Sequence, residues 1–201
     1  MIVKLYSKNT SERDLTRVCE TLEGGGVVVY PTDSVYAFGA SIQSPKAIER
    51  LKELCGKNLD ELSIVCSSIS QIAEYCRVDN AEFKVLKRNL PGAITFILKA
   101  SQRIPEKAIG KRKTIGVRIV DNEITSAIIN RLGVPMVTAS VKSRGDDEQE
   151  YTTDPELIDE MWGDRVALVV DGGIGYEMPS TVVELIDGEA EIIRQGVKEL
   201  I

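Results

Sequence analysis

The run Tyr30-Pro31-Thr32-Asp33-Ser34-Val35-Tyr36-Ala37-Phe38-Gly39 places hydroxyls and a carboxylate directly behind the apolar stretch Val27-Val28-Val29. Gly24-Gly25-Gly26 ends any preceding helix, so Val27 to Val29 reads as a short buried strand. Pro31 fixes φ and removes a backbone donor, which stops the pairing of that strand on at least one side. Polar groups at the carboxyl end of a strand stand where open α/β sheets hold their ligands. A plain polar turn, with Asp33 and Ser34 bonding to their own backbone, accounts for the same spacing.

The chemistry open to such a cluster is bounded by what the chain lacks. It contains no histidine, which excludes a Ser-His-Asp triad, a Cys-His dyad and any His-ligated metal. Proton transfer near neutral pH would fall to a carboxylate, a perturbed lysine or the substrate itself. Cys19, Cys55, Cys66 and Cys76 form no C-x-x-C pair and no zinc spacing, and are expected as small reduced core residues. Catalysis by positioning and charge stabilisation, or binding alone, remains.

Charge is distributed unevenly. With 25 basic and 31 acidic residues the chain carries −6, yet Lys84 to Arg118 holds ten basic residues against Glu106 alone. That segment is +9 and the remainder −15. A concentrated cationic stretch in an acidic protein points to a local polyanion site. Lys84, Lys87 and Arg88 are even between that role and a solvated helix face. Lys111, Arg112 and Lys113, beside Arg118, are candidates for contact with phosphate or RNA.

Several blocks resemble the YrdC-like family, whose known members are threonylcarbamoyl-AMP synthases. Pro31-Thr32-Asp33-Ser34-Val35-Tyr36 is similar to its Pro-Thr-(Asp/Glu)-Thr-x-Tyr signature. Pro91-Gly92-Ala93-Ile94-Thr95, Thr114-Ile115-Gly116-Val117-Arg118 and Pro135-Met136-Val137-Thr138-Ala139-Ser140 resemble later blocks, in the family's order. Asp171-Gly172-Gly173, Pro179-Ser180-Thr181-Val182-Val183 and Ile193-Arg194-Gln195-Gly196 resemble its closing ones.

The resemblance implies a site that joins L-threonine, bicarbonate and ATP, with Mg²⁺ on the phosphates, and a product destined for tRNA. Thr32, Arg118 and Ser180 match threonine-side positions, Arg118 as the fork for a carboxylate. Ser140 and Arg194 match nucleotide-side positions. The family's Lys-x-Arg falls on Cys55-Gly56-Lys57, its following Asn on Glu61, its strand His on Cys66, and the Asn of Ser-x-Asn on Lys142. Lys57 and Lys142 are then the cations left for a triphosphate. Ala37 stands where the signature has Gly, disfavouring any positive φ there. Departures gathered on the triphosphate side resemble the YciO-like branch.

The expectation is therefore a YciO-like protein that binds tRNA or double-stranded RNA and a nucleotide on a concave cationic face, with weak or altered synthase activity. A competent synthase with a rewired triphosphate site, or a non-enzymatic RNA or ribosome-associated module, are the alternatives.

These residues need elements to position them. Short Val/Ile/Thr-rich runs predict strands near 2–6, 27–31, 63–67, 94–99, 114–119, 134–139, 165–171, 180–187 and 190–194. Periodicity and caps such as Ser44-Pro45, Asp79 and Asp154-Pro155 predict helices over 11–23, 45–54, 69–76, 80–89, 123–132 and 155–162. The acidic stretch from Lys142 to Thr153 is expected as a mobile surface loop, with a lid over a site as its sharper reading. At 201 residues and 43% apolar content, the alternation and the family likeness predict one α/β domain over 1–201. It has a twisted, mixed sheet, YrdC-like, with an open concave cationic face. No apolar stretch approaches the roughly 20 residues that cross a bilayer. The N-terminal residues lack a signal-peptide layout, so the cytoplasm is expected.

Overall fold

The computed structural model describes residues 1–6, 10–56, 62–142 and 152–201. Ten strands form one mixed sheet: β1 (Ile2–Lys4), β2 (Val28–Tyr30), β3 (Ala37–Ser41), β4 (Ser63–Val65), β5 (Ile94–Lys99), β6 (Thr114–Arg118), β7 (Met136–Ser140), β8 (Leu168–Asp171), β9 (Thr181–Ile186) and β10 (Glu189–Arg194). Across the sheet they run β1-β8-β2-β3-β7-β4-β6-β5-β9-β10. The helices are α1 (Glu12–Glu23), α2 (Pro45–Leu54), α3 (Ile69–Tyr75), α4 (Asn80–Asn89), α5 (Glu106–Ile109), α6 (Glu123–Leu132) and α7 (Pro155–Trp162).

Local chemistry sets the helix starts. Ser44 accepts the Ala47 N–H ahead of Pro45 in α2, and Asp79 forms a capping box with Glu82 that opens α4. The expected helices all form, and α5 is an added single turn. β3 is the unexpected strand. Ala37-Phe38-Gly39-Ala40-Ser41 is buried throughout and shows neither β-branching nor alternation, so its pattern carries no strand signal. Pairing defines it instead, antiparallel to β2 on one side and to β7 on the other. Ala37 is extended strand; among the described non-glycine residues, positive φ occurs only at Asp187. No positive φ is called for at Ala37, so alanine stands there without strain. Gly39 is needed for closeness: a Cβ there would lie 2.9 Å from the Tyr30 ring and 3.2 Å from the Met136 sulfur.

Two apolar layers flank the sheet. On one side Phe38, Ile64, Phe96, Leu98, Val117 and Val183 pack beneath α2 to α5 and α7. On the other, Val28, Tyr30, Val65, Met136 and Val170 are covered by α1 and α6. That second cover reaches only part of the sheet. Along β5 and β9 buried residues alternate with half-buried ones, the signature of strands with one face against the core and the other open. Ser63, Gly116 and Thr95 share this open side, because a Cβ on Gly116 would sit 2.9 Å from both neighbours.

Six strands separate β8 from β9, about 34 Å at the usual strand spacing. The connection from Asp171 to Thr181 spans them, with its first residues held by Tyr36 and Thr153.

Candidate functional site on the open face

The β2–β3 loop is built by one threonine hydroxyl. Thr32 Oγ1 donates to the Val35 carbonyl at 2.7 Å and accepts the Ser34 N–H at 3.0 Å. Its single proton being so placed, the 3.1 Å contact with Ser34 must have the serine hydroxyl as donor. Ser34 Oγ in turn accepts from Arg118 Nη2 at 3.2 Å. Asp33 Oδ1 takes the same nitrogen at 2.5 Å, while its other oxygen accepts the Asp121 N–H at 2.9 Å. The loop is thereby locked to the end of β6.

This ion pair is enclosed: the side chains of Arg118 and Asp33 are 7% and 11% exposed. Arg118 Nε is buried without a hydrogen-bond partner among the described residues. A buried donor left unmet is costly. Arg118 alternates with Val117, whose side chain enters the helix-covered core, so Arg118 points to the open side. Phe96 pairs with Val117, which sets Thr95 across from Arg118. Thr95 Oγ1 meets Ser180 Oγ at 2.9 Å, and the Ser180 carbonyl accepts from Arg194 Nη2 at 2.7 Å. Arg118 on β6, Thr95 on β5, Ser180 just ahead of β9 and Arg194 at the end of β10 thus lie side by side.

Ser140 and Lys142 lie elsewhere on the sheet. Thr138 and Gly116 both pair with Ser63; from that level Arg118 is two residues one way and Ser140 two the other. Their separation is about 13 Å along the strands, with both Ser140 and Lys142 exposed. Lys57, Asn58 and Glu61 lie outside the described residues, as does most of the acidic loop, so the expected triphosphate cations are placed only at Lys142 and Arg194.

Thr32 is 3% exposed, with its hydroxyl engaged by its own loop, while Ser34 and Asp33 hold Arg118. Cys66 is buried in the helix-covered core, the small core residue its sequence context leads one to expect. The cationic segment does not assemble on one face. α4 packs through Leu86 into the helix-covered core, leaving Lys84, Lys87 and Arg88 exposed on the far side of the sheet from Arg118. Arg112 donates to the carbonyls of Ala108 and Ile109, closing α5, while Lys111 and Lys113 are exposed at its end. Lys99, Arg103, Lys107 and Arg118 pair with Asp187, Glu74, Glu49 and Asp33. Counting along the chain concealed these acids, which arrive from other elements. Glu184 also stands on the open side, beside Ile97.

Burial acts on the neighbouring phenols. It pushes Tyr30, whose hydroxyl is 2.7 Å from Thr138, up to about 12. It raises Tyr36 further, against the lowering effect of its bond to the Gly172 backbone. Both are neutral hydrogen-bonding groups at ordinary pH.

Residues 20–196 match the Sua5/YciO/YrdC family, described as "Telomere recombination". The chain belongs to that family. It is 35% identical to the uncharacterized protein YciO of Escherichia coli, over 98% of this chain and 95% of that protein. Threonylcarbamoyl-AMP synthase of Vibrio campbellii is 27% identical over 92% of this chain and all of that enzyme. The crystal structure of E. coli YciO superposes with a TM-score of 0.91, covering 99% of this chain and 97% of that one. That of P. abyssi Sua5 complexed with L-threonine gives 0.87 at 24% identity, over 98% of this chain and 57% of that one, a likeness of fold.

Proposed function

We propose that this member of the Sua5/YciO/YrdC family binds L-threonine at Arg118 and a nucleotide across the open face, and forms threonylcarbamoyl-AMP slowly. The observation that carries the reading is the enclosed Arg118 guanidinium, aimed at the open side with a buried Nε–H that has no acceptor among the described residues. A structural ion pair needs no such donor; a carboxylate clamp does. In the reaction, the threonine amine and bicarbonate condense to an N-carboxylate with loss of water. A carboxylate oxygen then attacks the α-phosphorus of ATP and pyrophosphate leaves. The protein's part is to hold two anions together and to stabilise charge at the phosphorus. Asp33 and Ser34 fix the clamp, Arg194 supplies a cation towards the phosphates, and Mg²⁺ arrives with ATP.

The slow rate follows from the departures at Cys55, Lys57 and Lys142. Each missing charge-assisted contact is worth about 1.5–3 kcal/mol, and two together lower rate or affinity at least about a hundredfold. The test is pyrophosphate release with threonine, bicarbonate and ATP. Wild type should run far below a full-motif synthase, Arg118→Ala should abolish the remainder, and Cys55→Lys/Lys57→Arg/Lys142→Asn should raise it. A native rate equal to the full-motif enzyme would establish a rewired, competent site instead.

RNA contact is a second reading, favoured by one observation: Lys84, Lys87 and Arg88 occupy i, i+3 and i+4 of α4 and are all exposed. Such a row can follow a phosphate backbone, on the face opposite the substrate site.

A further inference from the structure

The last strand of the sheet is bare. β10 lies at one edge and pairs with β9 alone among the described residues. All six of its residues are exposed, Ile192 by 47% and Ile193 by 55%. The hairpin turn fixes which groups β10 presents. Asp187 and Gly188 both have positive φ, 55° and 80°, and Ile186 pairs with Glu189 across them, a two-residue type I′ turn. The residues flanking such a turn exchange both backbone bonds. The alternation that follows turns the N–H and C=O of Ala190 and Ile192 outwards, away from β9. The chain beyond Arg194 folds back rather than along this edge, with the Val197 N–H on the Pro179 carbonyl and Lys198 on the Asn89 carbonyl.

Charge on this edge is gathered on one face. Ala190 and Ile192 pair with Leu185 and Val183, which enter the helix-covered core, so Glu189 and Glu191 point to the open side. There Glu191 stands directly opposite Glu184, a like-charge pair that costs stability. Lys99, the cation next along β5 on that side, is bound to Asp187 instead. We infer that the β10 edge docks an extended, basic segment of another protein. The segment adds an antiparallel strand through Ala190 and Ile192 and sets lysine or arginine side chains against Glu184, Glu189 and Glu191. Main-chain bonds to a bare edge hold such a strand, and the side chains select it. Charged edges keep neutral and like-charged strands away; carboxylates on one face admit a basic one. A second copy of this chain fits poorly, because two β10 edges paired antiparallel through Ala190 and Ile192 bring Glu191 against Glu191. Docking here needs nothing of the substrate assigned to Arg118.

The probe is a synthetic hexapeptide of alternating valine and lysine, titrated into the full chain and followed by fluorescence anisotropy and NMR amide exchange. Exchange at Ala190 and Ile192 should slow at least about tenfold with peptide bound, while Glu189 and Glu191, already bonded to β9, change little. With lysines on the acidic face, the valines lie opposite Ala190 and Ile192 and make the backbone bonds. Methylating the valine nitrogens should therefore weaken binding at least about fivefold, and methylating the lysine nitrogens should leave it within about twofold. Glu189→Lys/Glu191→Lys should weaken the lysine peptide at least about fivefold and take up a valine–glutamate peptide instead. Both positions are exposed, and thermal melts check that the fold is kept. No binding at millimolar peptide, equal losses for the two methylated peptides, indifference to charge reversal, or unchanged exchange at Ala190 and Ile192 would overturn the inference. Concentration-dependent dimerisation of the free chain that protects the same two amides would overturn it as well, and give the edge to a second copy.

Discussion

At the scale of single residues, Arg118 illustrates what a sequence can and cannot disclose. Its identity was legible because Thr114 to Arg118 resembles a known block. Its partners were not, since Asp33 and Ser34 lie 85 and 84 positions away and meet it only in the folded chain. Nothing in Pro31-Thr32-Asp33-Ser34 says which hydroxyl serves its own loop. The buried pair makes a sharp prediction. Arg118→Ala leaves the Asp33 carboxylate enclosed without its cation, a change that costs about 3–5 kcal/mol, and it should also eliminate threonine binding. Arg118→Ala/Asp33→Asn removes both charges and should recover much of the stability with no recovery of binding. Urea titrations and threonine calorimetry separate the two effects. Recovery of binding in the double variant would show that Arg118 serves only the fold.

At the scale of elements, pattern and caps disclosed the helices well because each carries its own signal: Asp79 with Glu82 for α4, Ser44-Pro45 for α2. β3 was hidden because a strand paired on both edges and covered on both faces needs no alternation. The cationic segment misled for a related reason. Successive basic residues on β5, α5, β6 and α4 point in different directions and meet acids from other elements, so a linear +9 never becomes a single field. One remnant deserves a direct test on α4. Lys84→Ala/Lys87→Ala/Arg88→Ala should weaken duplex or tRNA binding and flatten its salt dependence by about two to three units of slope. Threonine binding at Arg118, across the sheet, should remain within about twofold, since distant sites act independently. Gel-shift and filter-binding titrations at several salt concentrations give the slope. An unchanged slope would remove α4 from any RNA surface, and with it the second reading.

At the scale of the whole molecule, composition and the family likeness disclosed the mixed α/β sheet, while the order of its strands came from the fold. Burying phenols and thiols in so apolar a sheet has a consequence for alkaline stability. Cys76, Cys19 and Tyr30 are raised to about 12, 11 and 12, in each case chiefly by burial. Below pH 9 these groups are neutral in both folded and unfolded chains and cost nothing. Above it the unfolded thiols ionise near 9 and the unfolded phenols near 10, while the folded ones hold their protons. The unfolded state then binds fewer protons, so stability falls as pH rises through 9 to 12. For Tyr30 alone the loss between 10 and 12 is about 2–3 kcal/mol. Tyr30→Phe should cost about 0.5–1.5 kcal/mol at neutral pH through the lost bond to Thr138, which keeps its own bond to the Phe38 carbonyl. It should also make the pH 10–12 decline visibly shallower. Urea midpoints from pH 7 to pH 12 decide the matter: parallel curves for wild type and Tyr30→Phe would mean that Tyr30 ionises within the folded sheet, and that its burial beneath α1 and α6 is looser than the packing over Gly39 requires.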